Sequence, residues 1–457
     1  MITKTLQEIT GMIKIENDIS EFKDIVISGV SIDSRKITAG NLFVPFKGEN
    51  SDGHRFVEDA IKKGASAAFW QKDVPNPPLH LPILIVEDPL IALQELARNY
   101  RNKLSVRVVG ITGSNGKTTT KDMTANLLSV QYKVQKTEGN FNNEIGLPLT
   151  ILGLEEDTEI AVLEMGMSSK GEIDFLTRLS RPEAVIITNI GESHLLDLGS
   201  REGIAEAKLE IVNGLEENGI LVYYGDEPLL NDKLRNDKGN KMIKRFGRSE
   251  KNDLFPIEMK QSDSGSCFKI NAANSEFFLP VLGIHNVLNA LSAMTVADYF
   301  GIPFDRMNDG FSGLKLTNMR TELLQGKKGE KIINDAYNAS PTSMYAAIEL
   351  ISNLPGYKNK ILVLGDMLEL GPEEEHFHRK MGESIDAEKI DFVFTFGSLS
   401  EWIAKGAETR LPADRVFAFT DKQNLIEELQ KRVNEETIIL VKASRGMKLE
   451  EVVSALQ

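Results

Sequence analysis

The chain has 457 residues, about three times a typical domain of roughly 150, so two or three domains and a large buried core are expected. Its 53 Lys+Arg against 67 Asp+Glu give a net charge of −14, which excludes a general nucleic-acid or anionic-membrane binder because the whole-molecule field repels a polyanion. A single cysteine, Cys267, excludes an internal disulfide and a multi-cysteine metal site and fits a reducing compartment.

The amino terminus, MITKTLQEITGMIKI, alternates polar and apolar residues and lacks the continuous apolar core and small-residue cleavage site of a signal peptide. The longest apolar runs, such as 184–187 and 438–441, are strand-sized, whereas a membrane span needs roughly 20 residues. A cytoplasmic protein without membrane insertion is expected. No long apolar stripe demands a partner, so a monomer is expected as well.

The first 90 residues hold short strand-like runs and loops, ending in the proline cluster Pro75, Pro77, Pro78 and Pro82 and then Asp88-Pro89, which sets a boundary near Asp88. A helix follows, with Ile91, Leu93, Leu96, Ala97 and Tyr100 expected on one apolar face. Strands at 106–112, 160–164, 184–189 and 221–224 alternate with helical patterns, the signature of a mainly parallel sheet covered on both faces. Between 241 and 282 shorter alternating runs predict an antiparallel extension. After about Leu316 a second alternation begins, with strands at 332–335, 361–364, 392–396, 416–419 and 438–441. Helices between them start near Pro341, Pro372, Ser398, Asp421 and Lys448. The fold class is therefore α/β with three domains, 1–88, 89–315 and 316–457: a small α/β domain, a central P-loop mononucleotide-binding domain and a Rossmann-like carboxyl-terminal domain. The acidic run 373–375 reads as a solvated helix start.

The strongest local signal is GITGSNGKTTT at 110–120, which follows a strand and opens a helix. Glycines such as Gly113 and Gly116 let backbone N–H groups close around phosphate oxygens. The helix N-terminus adds partial positive charge, Lys117 reaches terminal phosphates, and Thr118 can ligate magnesium. Ile111 stands where GxxxxGKT begins with glycine, which leaves the shorter GxxGKTT form. ATP or another NTP is the implied ligand.

Glu164 ends an apolar strand at the carboxyl edge of the sheet, where open α/β folds bind ligands, and is either a magnesium ligand or a helix-capping or surface acid. His194 lies in a loop at the same edge and is either a hydrogen-bonded structural residue or a ligand. Lys208 shares a helical stripe with Ile204, Ile211, Val212 and Leu215, so it points the way of the apolar face. A buried ammonium is unfavourable unless paired. Lys208 is thus a snorkelling lysine, a lysine paired with a carboxylate, or a carbamylated lysine, which would offer a carboxylate to magnesium.

Taken together, these motifs resemble the Mur ligase family, ATP-dependent amide-bond-forming enzymes that build the cell-wall precursor peptide on a UDP-linked sugar. The resemblance extends over most of the chain. It includes the phosphate loop, Glu164-Met165-Gly166, the segment 189–197 with His194, Ala207-Lys208, GIHNVLNA at 283–290, MRTE at 319–322, NDAYNASP at 334–341 and VKASRGM at 441–447. The versions at 334–341 and LGDMLELG at 364–371 resemble those of the branch that joins D-alanyl-D-alanine to UDP-N-acetylmuramoyl-tripeptide. The Asn-Pro-Arg signature of the branch adding the third amino acid is absent.

The resemblance implies an ATP-dependent ligase with magnesium. Gly113, Ser114, Asn115, Gly116, Lys117, Thr118 and Thr119 would hold ATP, with Thr118 and Glu164 on one magnesium and His194 and a carbamylated Lys208 on a second. Lys117, Lys208, His194 and Glu164 form the catalytic set. Asn286 and Asn289 would contact adenine, or else cap the helix, and Arg320 and Asp335 would reach phosphate or ribose, or else form a surface ion pair. Ser31, Ser34 and Arg35 would contact the UDP end of the acceptor, and Asn140, Asn143, Glu144 and Asn338 its peptide end. Ala443, where glycine is common, leaves the roles of Lys442 and Arg445 open. Two other readings remain: a sister ligase adding one amino acid to a shorter UDP-peptide, and a nucleotide-dependent switch that ligates nothing.

Overall fold

The computed structural model describes residues 1–48, 51–235 and 239–457. Near the amino end, strands Val30–Ser31, Leu42–Phe43, Ala67–Gln71 and Ile83–Val86 form a parallel sheet. Its side chains alternate with the two-residue period of a strand. Ala68 and Trp70 pack with Val57 and Ala60 on one side, whereas Ala67 and Phe69 face the core shared with the next helix. That helix, Pro89–Arg101, starts where Asp88 accepts from the Leu90 and Ile91 N–H groups and Pro89 occupies the first turn. Ala92, Leu93, Leu96, Ala97 and Tyr100 are buried. Ile91 departs from expectation at 53% exposed, because one residue is about 100° of helix and Ala92, not Ile91, starts the buried stripe.

The central sheet has six parallel strands in the spatial order Met242–Phe246, Ile220–Tyr224, Ala184–Ile187, Arg107–Thr112, Ile160–Glu164 and Val134–Lys136. Arg107–Thr112, the first of these in sequence, has later strands on both sides. The order therefore reverses there and opens a crevice at its carboxyl end. Met242–Phe246 corrects the expected antiparallel extension: it pairs in parallel with Ile220–Tyr224. As an edge strand it is only partly covered, with Met242 exposed, Phe246 buried and the three residues between half-buried, so it lacks the continuous apolar run of a central parallel strand. Strands Pro256–Gln261, Ser266–Ile270 and Glu276–Leu279 do form an antiparallel sheet.

In the carboxyl-terminal sheet the spatial order is Glu322–Gln325, Lys331–Asn334, Thr437–Lys442, Asn359–Gly365, Phe392–Phe396 and Val416–Phe419. All pairs are parallel except the first, which is antiparallel and was not anticipated. Helices begin at Pro341, Glu374, Glu401, Lys422 and Glu450. The start expected near Ser398 moves to Glu401 after Gly397, whose φ of 121° no ordinary residue adopts easily. This domain lies against the phosphate loop, so the two crevices share one cavity. Among the described residues no helix is long and apolar enough to cross a membrane.

Candidate active site

The phosphate loop is held from behind by the turn after the next strand. Ser114 N–H donates to the Asn189 carbonyl at 3.0 Å, and Asn115 N–H donates to Asn189 Oδ1 at 3.0 Å. Asn189 Nδ2 and Thr188 Oγ1 in turn donate to the Asn115 carbonyl at 3.1 and 2.5 Å. Two glycines are dictated by space as well as by backbone angle. A Cβ on Gly113 would lie 1.8 Å from Thr188 Oγ1, and one on Gly116 would lie 2.5 Å from Asn289 Oδ1. Gly116 also has φ 81°, directly before helix Lys117–Leu128.

A cavity of about 760 Å³ opens in front of this loop. Ser114, Asn115, Gly116, Lys117, Thr118, Thr119, Glu164, His194, Asn286, Asn289, Arg320 and Asp335 all line it. So do Asn143, Glu144 and Asn338. Gly113 lies behind the loop, against Thr188. Lys208 is buried at the end of helix Arg201–Leu209 and Asn140 is exposed. Ser31, Ser34 and Arg35 lie in the amino-terminal domain, outside the cavity lining.

Lys117 Nζ donates to the Gly113 carbonyl at 2.7 Å, and burial pushes its ammonium below the usual range. Glu164 is 2% exposed. Its N–H donates to Thr137 Oγ1 at 3.0 Å, and its Oε1 accepts from Asn142 Nδ2 at 2.8 Å. Glu164 Oε2 is buried with no hydrogen-bond partner among the described residues, which rules out a surface acid or helix cap. An unsatisfied buried carboxylate oxygen beside a phosphate loop is a site for a cation.

Lys208 is 2% exposed, and burial first, then the Lys117 charge, push it well below the usual lysine range. Among the described residues no carboxylate pairs with it, so the salt-bridged alternative does not hold. The predicted stripe holds in packing, since Val212 and Leu215 rest against the core that buries Ile204 and Ile211, although the α-helix ends at Leu209 and a 3₁₀ turn, Glu210–Gly214, follows. The result is a lysine biased towards its neutral amine. His194 sits in the left-handed region, with φ 62°, and its Nδ1 lies 2.8 Å from Glu369 Oε2 of the carboxyl-terminal domain. Burial lowers its pKa, an effect that the Glu369 charge opposes.

On helix Ile284–Tyr299, Asn286 and Asn289 are buried and share a face. Asn289 Nδ2 donates to Asn286 Oδ1 at 3.0 Å, and Asn286 Nδ2 donates to the Leu282 carbonyl at 2.8 Å. Neither caps the helix, whose first turn follows Gly283. Arg320 and Asp335 do not pair with each other. Arg320 Nη2 donates to Thr118 Oγ1 at 3.2 Å, with its guanidinium 4.0 Å from the Tyr337 ring centroid. Asp335 instead takes Lys442 Nζ at 2.5 Å, a partner the sequence left without a role. Three further contacts cross from the central to the carboxyl-terminal domain: Ser340 Oγ on Asn115 Oδ1 at 3.1 Å, Thr342 Oγ1 on Glu192 Oε2 at 2.6 Å, and Leu196 N–H on the Glu369 carbonyl at 3.2 Å. Asn142, Asn189, Tyr337 and Glu369 contact the candidate residues and were not singled out by the sequence. Each sits inside or beside a recognised motif, which is the only signal they carry.

A parallel-sheet phosphate loop, a buried carboxylate beside it and a second α/β domain covering both define an ATP-dependent ligase architecture. Family models agree along the chain: Mur ligase family, catalytic domain, at 26–101; Mur ligase middle domain at 111–297; and Mur ligase, glutamate ligase domain, at 319–445. The chain belongs to the Mur ligase family. It is 52% identical over 456 residues, covering 100% of this chain and 99% of its relative, to the UDP-N-acetylmuramoyl-tripeptide--D-alanyl-D-alanine ligase of Bacillus subtilis (strain 168). Among solved structures it resembles MurF from Acinetobacter baumannii, with TM-score 0.89, 28% identity and coverage of 100% and 99% of the two chains. It also resembles MurF ligase from Thermotoga maritima in complex with ADP, with TM-score 0.82, 32% identity and coverage of 94% and 96%.

Proposed function

We infer that the protein is an ATP-dependent ligase that joins D-alanyl-D-alanine to UDP-N-acetylmuramoyl-tripeptide in peptidoglycan precursor synthesis. The observation that carries this reading is full-length 52% identity to a ligase of that name, together with a phosphate loop and carboxyl-terminal domain meeting in one cavity.

A peptide carboxylate is a poor electrophile at neutral pH, because attack by an amine would have to expel an oxide. Transfer of the γ-phosphoryl group of ATP to that carboxylate gives an acyl phosphate and ADP. The free amine of the dipeptide then attacks the acyl carbon, and the tetrahedral intermediate collapses with loss of phosphate. No enzyme nucleophile is needed, so the protein's task is alignment and neutralisation of charge. Lys117, the Ser114–Thr119 backbone and Arg320 hold phosphate oxygens. Asn286 and Asn289 take the adenine, and Asp335, fixed by Lys442, takes the ribose or a phosphate contact. Asn143, Glu144 and Asn338 lie with the acceptor peptide and its carboxylate, with Asn140 at the rim, and Ser31, Ser34 and Arg35 take the UDP end.

The donor set suits Mg²⁺. Among the described residues no three His, Cys, Asp or Glu side chains converge on one point, and Mg²⁺ is commonly held by one or two carboxylates plus substrate phosphates and water. Thr118 and the unsatisfied Glu164 Oε2 supply hard oxygens for one ion. His194 and Lys208 would serve a second, Lys208 as a carbamate, since the amine itself offers no anionic ligand and burial lowers its pKa towards the form that reacts with CO₂. Bound there, Mg²⁺ would neutralise phosphate charge.

Functionally, residues 1–88 serve the UDP-linked acceptor, 89–315 ATP and metal, and 316–457 closure over both, within a monomer acting in the cytoplasm. The test is phosphate release measured with ATP, UDP-tripeptide and D-alanyl-D-alanine, each omitted in turn. Release that requires all three supports the reading. Release needing neither acceptor nor dipeptide, or equal use of single amino acids, overturns it.

A further inference from the structure

The phosphate-loop helix carries a carboxylate that the chemistry above does not use. Asp122 is fully buried and stands one turn after Thr118, so both project from one face of helix Lys117–Leu128. Its Oδ1 takes Lys136 Nζ at 2.7 Å and lies 3.3 Å from Lys121 Nζ. Its Oδ2 accepts two hydrogen bonds from one residue of the interdomain connector: the Thr317 N–H at 2.8 Å and the Thr317 hydroxyl at 2.9 Å.

Thr317 lies between helix Met307–Ser312, the last of the central domain, and strand Glu322–Gln325, the first of the carboxyl-terminal domain. Three residues on, Arg320 reaches Thr118. Arg320 is flanked by Met319 and Thr321, with φ 61° and 52°, a region that side chains other than glycine's rarely favour. Met319 N–H is held by Glu322 and Thr321 N–H by Asp335, both on the carboxyl-terminal side. The connector is therefore fixed at one end to the phosphate-loop helix and at the other to the carboxyl-terminal domain, with Arg320 between. A buried, ion-paired carboxylate that accepts a backbone N–H and a hydroxyl of the same residue is a rigid anchor.

We propose that Asp122 is a positioning residue that anchors the interdomain connector at Thr317, so that the carboxyl-terminal domain pivots about the phosphate-loop helix and delivers Arg320 to the phosphate held at Thr118. The proposal rests on the ligase reading for what Arg320 does, but not for where the pivot lies. Loss of the anchor should leave nucleotide binding to the central domain intact and reduce turnover, because fewer molecules hold Arg320 in place at any moment.

The experiment uses the full chain with Thr317→Val, Thr317→Ser and Asp122→Asn. Expected for Thr317→Val is a fall in kcat of roughly tenfold, with KM for ATP and affinity for a non-hydrolysable ATP analogue within about twofold of wild type. Thr317→Ser restores kcat, because the serine hydroxyl makes the same bond. Asp122→Asn lowers kcat further; if that variant does not fold after losing the charge that pairs with Lys136, the Thr317 pair decides alone. Small-angle scattering with the analogue and Mg²⁺ should show a larger radius of gyration for Thr317→Val than for wild type and Thr317→Ser.

Unchanged kcat and radius of gyration in Thr317→Val would overturn the proposal. Equal damage in Thr317→Val and Thr317→Ser, or a parallel loss of nucleotide affinity, would do the same. A wild-type enzyme with no acceptor-dependent phosphate release refutes the ligase reading instead, and the scattering comparison still decides the pivot.

Discussion

The phosphate end of the cavity and the Ser31–Arg35 loop are both regions assigned to anionic ligands, yet they are built in opposite ways. At the phosphate end the loop backbone is tied to Thr188 and Asn189, half-buried Lys117 is fixed to the Gly113 carbonyl, and Arg320 is stacked on Tyr337. In the amino-terminal domain Arg35 is exposed and forms a two-point ion pair with Asp33, at 2.9 Å for both bonds, which holds the Asp33 carboxyl down at about 2. Fixed, water-poor groups stabilise charge that develops during reaction. A solvated arginine adds affinity and little else. In a molecule of net charge −14, the proposed function then has turnover depend on one end and acceptor affinity on the other.

The contrast is broken or sharpened by four measurements. Lys117→Met should lower kcat by about 10³-fold or more with the fold intact by circular dichroism, because no water can replace a fixed cation aimed at transferring phosphate. Retention of more than a tenth of the wild-type rate would remove the phosphate end from the chemistry. Lys208→Ala should lower kcat by roughly 10²-fold, and small carboxylates such as acetate or formate should restore part of it. Wild-type-like activity without additive would refute a carbamate in that position.

Arg35→Ala should raise KM for the UDP-linked acceptor by about tenfold, with kcat within about twofold. A kcat defect like that of Lys117→Met would erase the distinction between the two ends. The smallest effect concerns His285, which burial lowers to about 4 from 6.5. Between those values the unfolded chain binds the proton and the native state does not, so its contribution to stability is complete above pH 6.5 and is lost as pH falls towards 4. Melting temperatures of wild type and His285→Gln across pH 4–7 should therefore converge at the acid end, and parallel curves would contradict this.

The same contrast describes what was legible in the sequence. The phosphate loop is a local feature: its glycines, lysine and threonines are consecutive and its strand and helix adjoin it, so function could be read from 110–120. Lys208 was legible because burial of one helix face imposes a period, which Ile204, Lys208 and Ile211 keep across the end of the α-helix at Leu209. Met242–Phe246 departs from expectation because an edge strand of a parallel sheet is half-covered and lacks the continuous apolar run that marks the central strands. The Asp335–Lys442, Arg320–Thr118, Ser340–Asn115 and His194–Glu369 contacts join segments more than 100 residues apart. No period or spacing encodes such pairings. The Asp335–Lys442 pair follows from how the carboxyl-terminal sheet sets two of its strands side by side, and the other three from how that domain rests on the central one.

The central claim is that ATP activates the acceptor carboxylate inside this cavity before the dipeptide amine arrives. Acceptor labelled with ¹⁸O in its terminal carboxylate, turned over with ATP and D-alanyl-D-alanine, tests it most directly. Transfer of one labelled oxygen into each phosphate released is the predicted result, because the carboxylate oxygen that attacks phosphorus leaves with it. Phosphate whose fourth oxygen comes from solvent, with no label in it, would contradict the account.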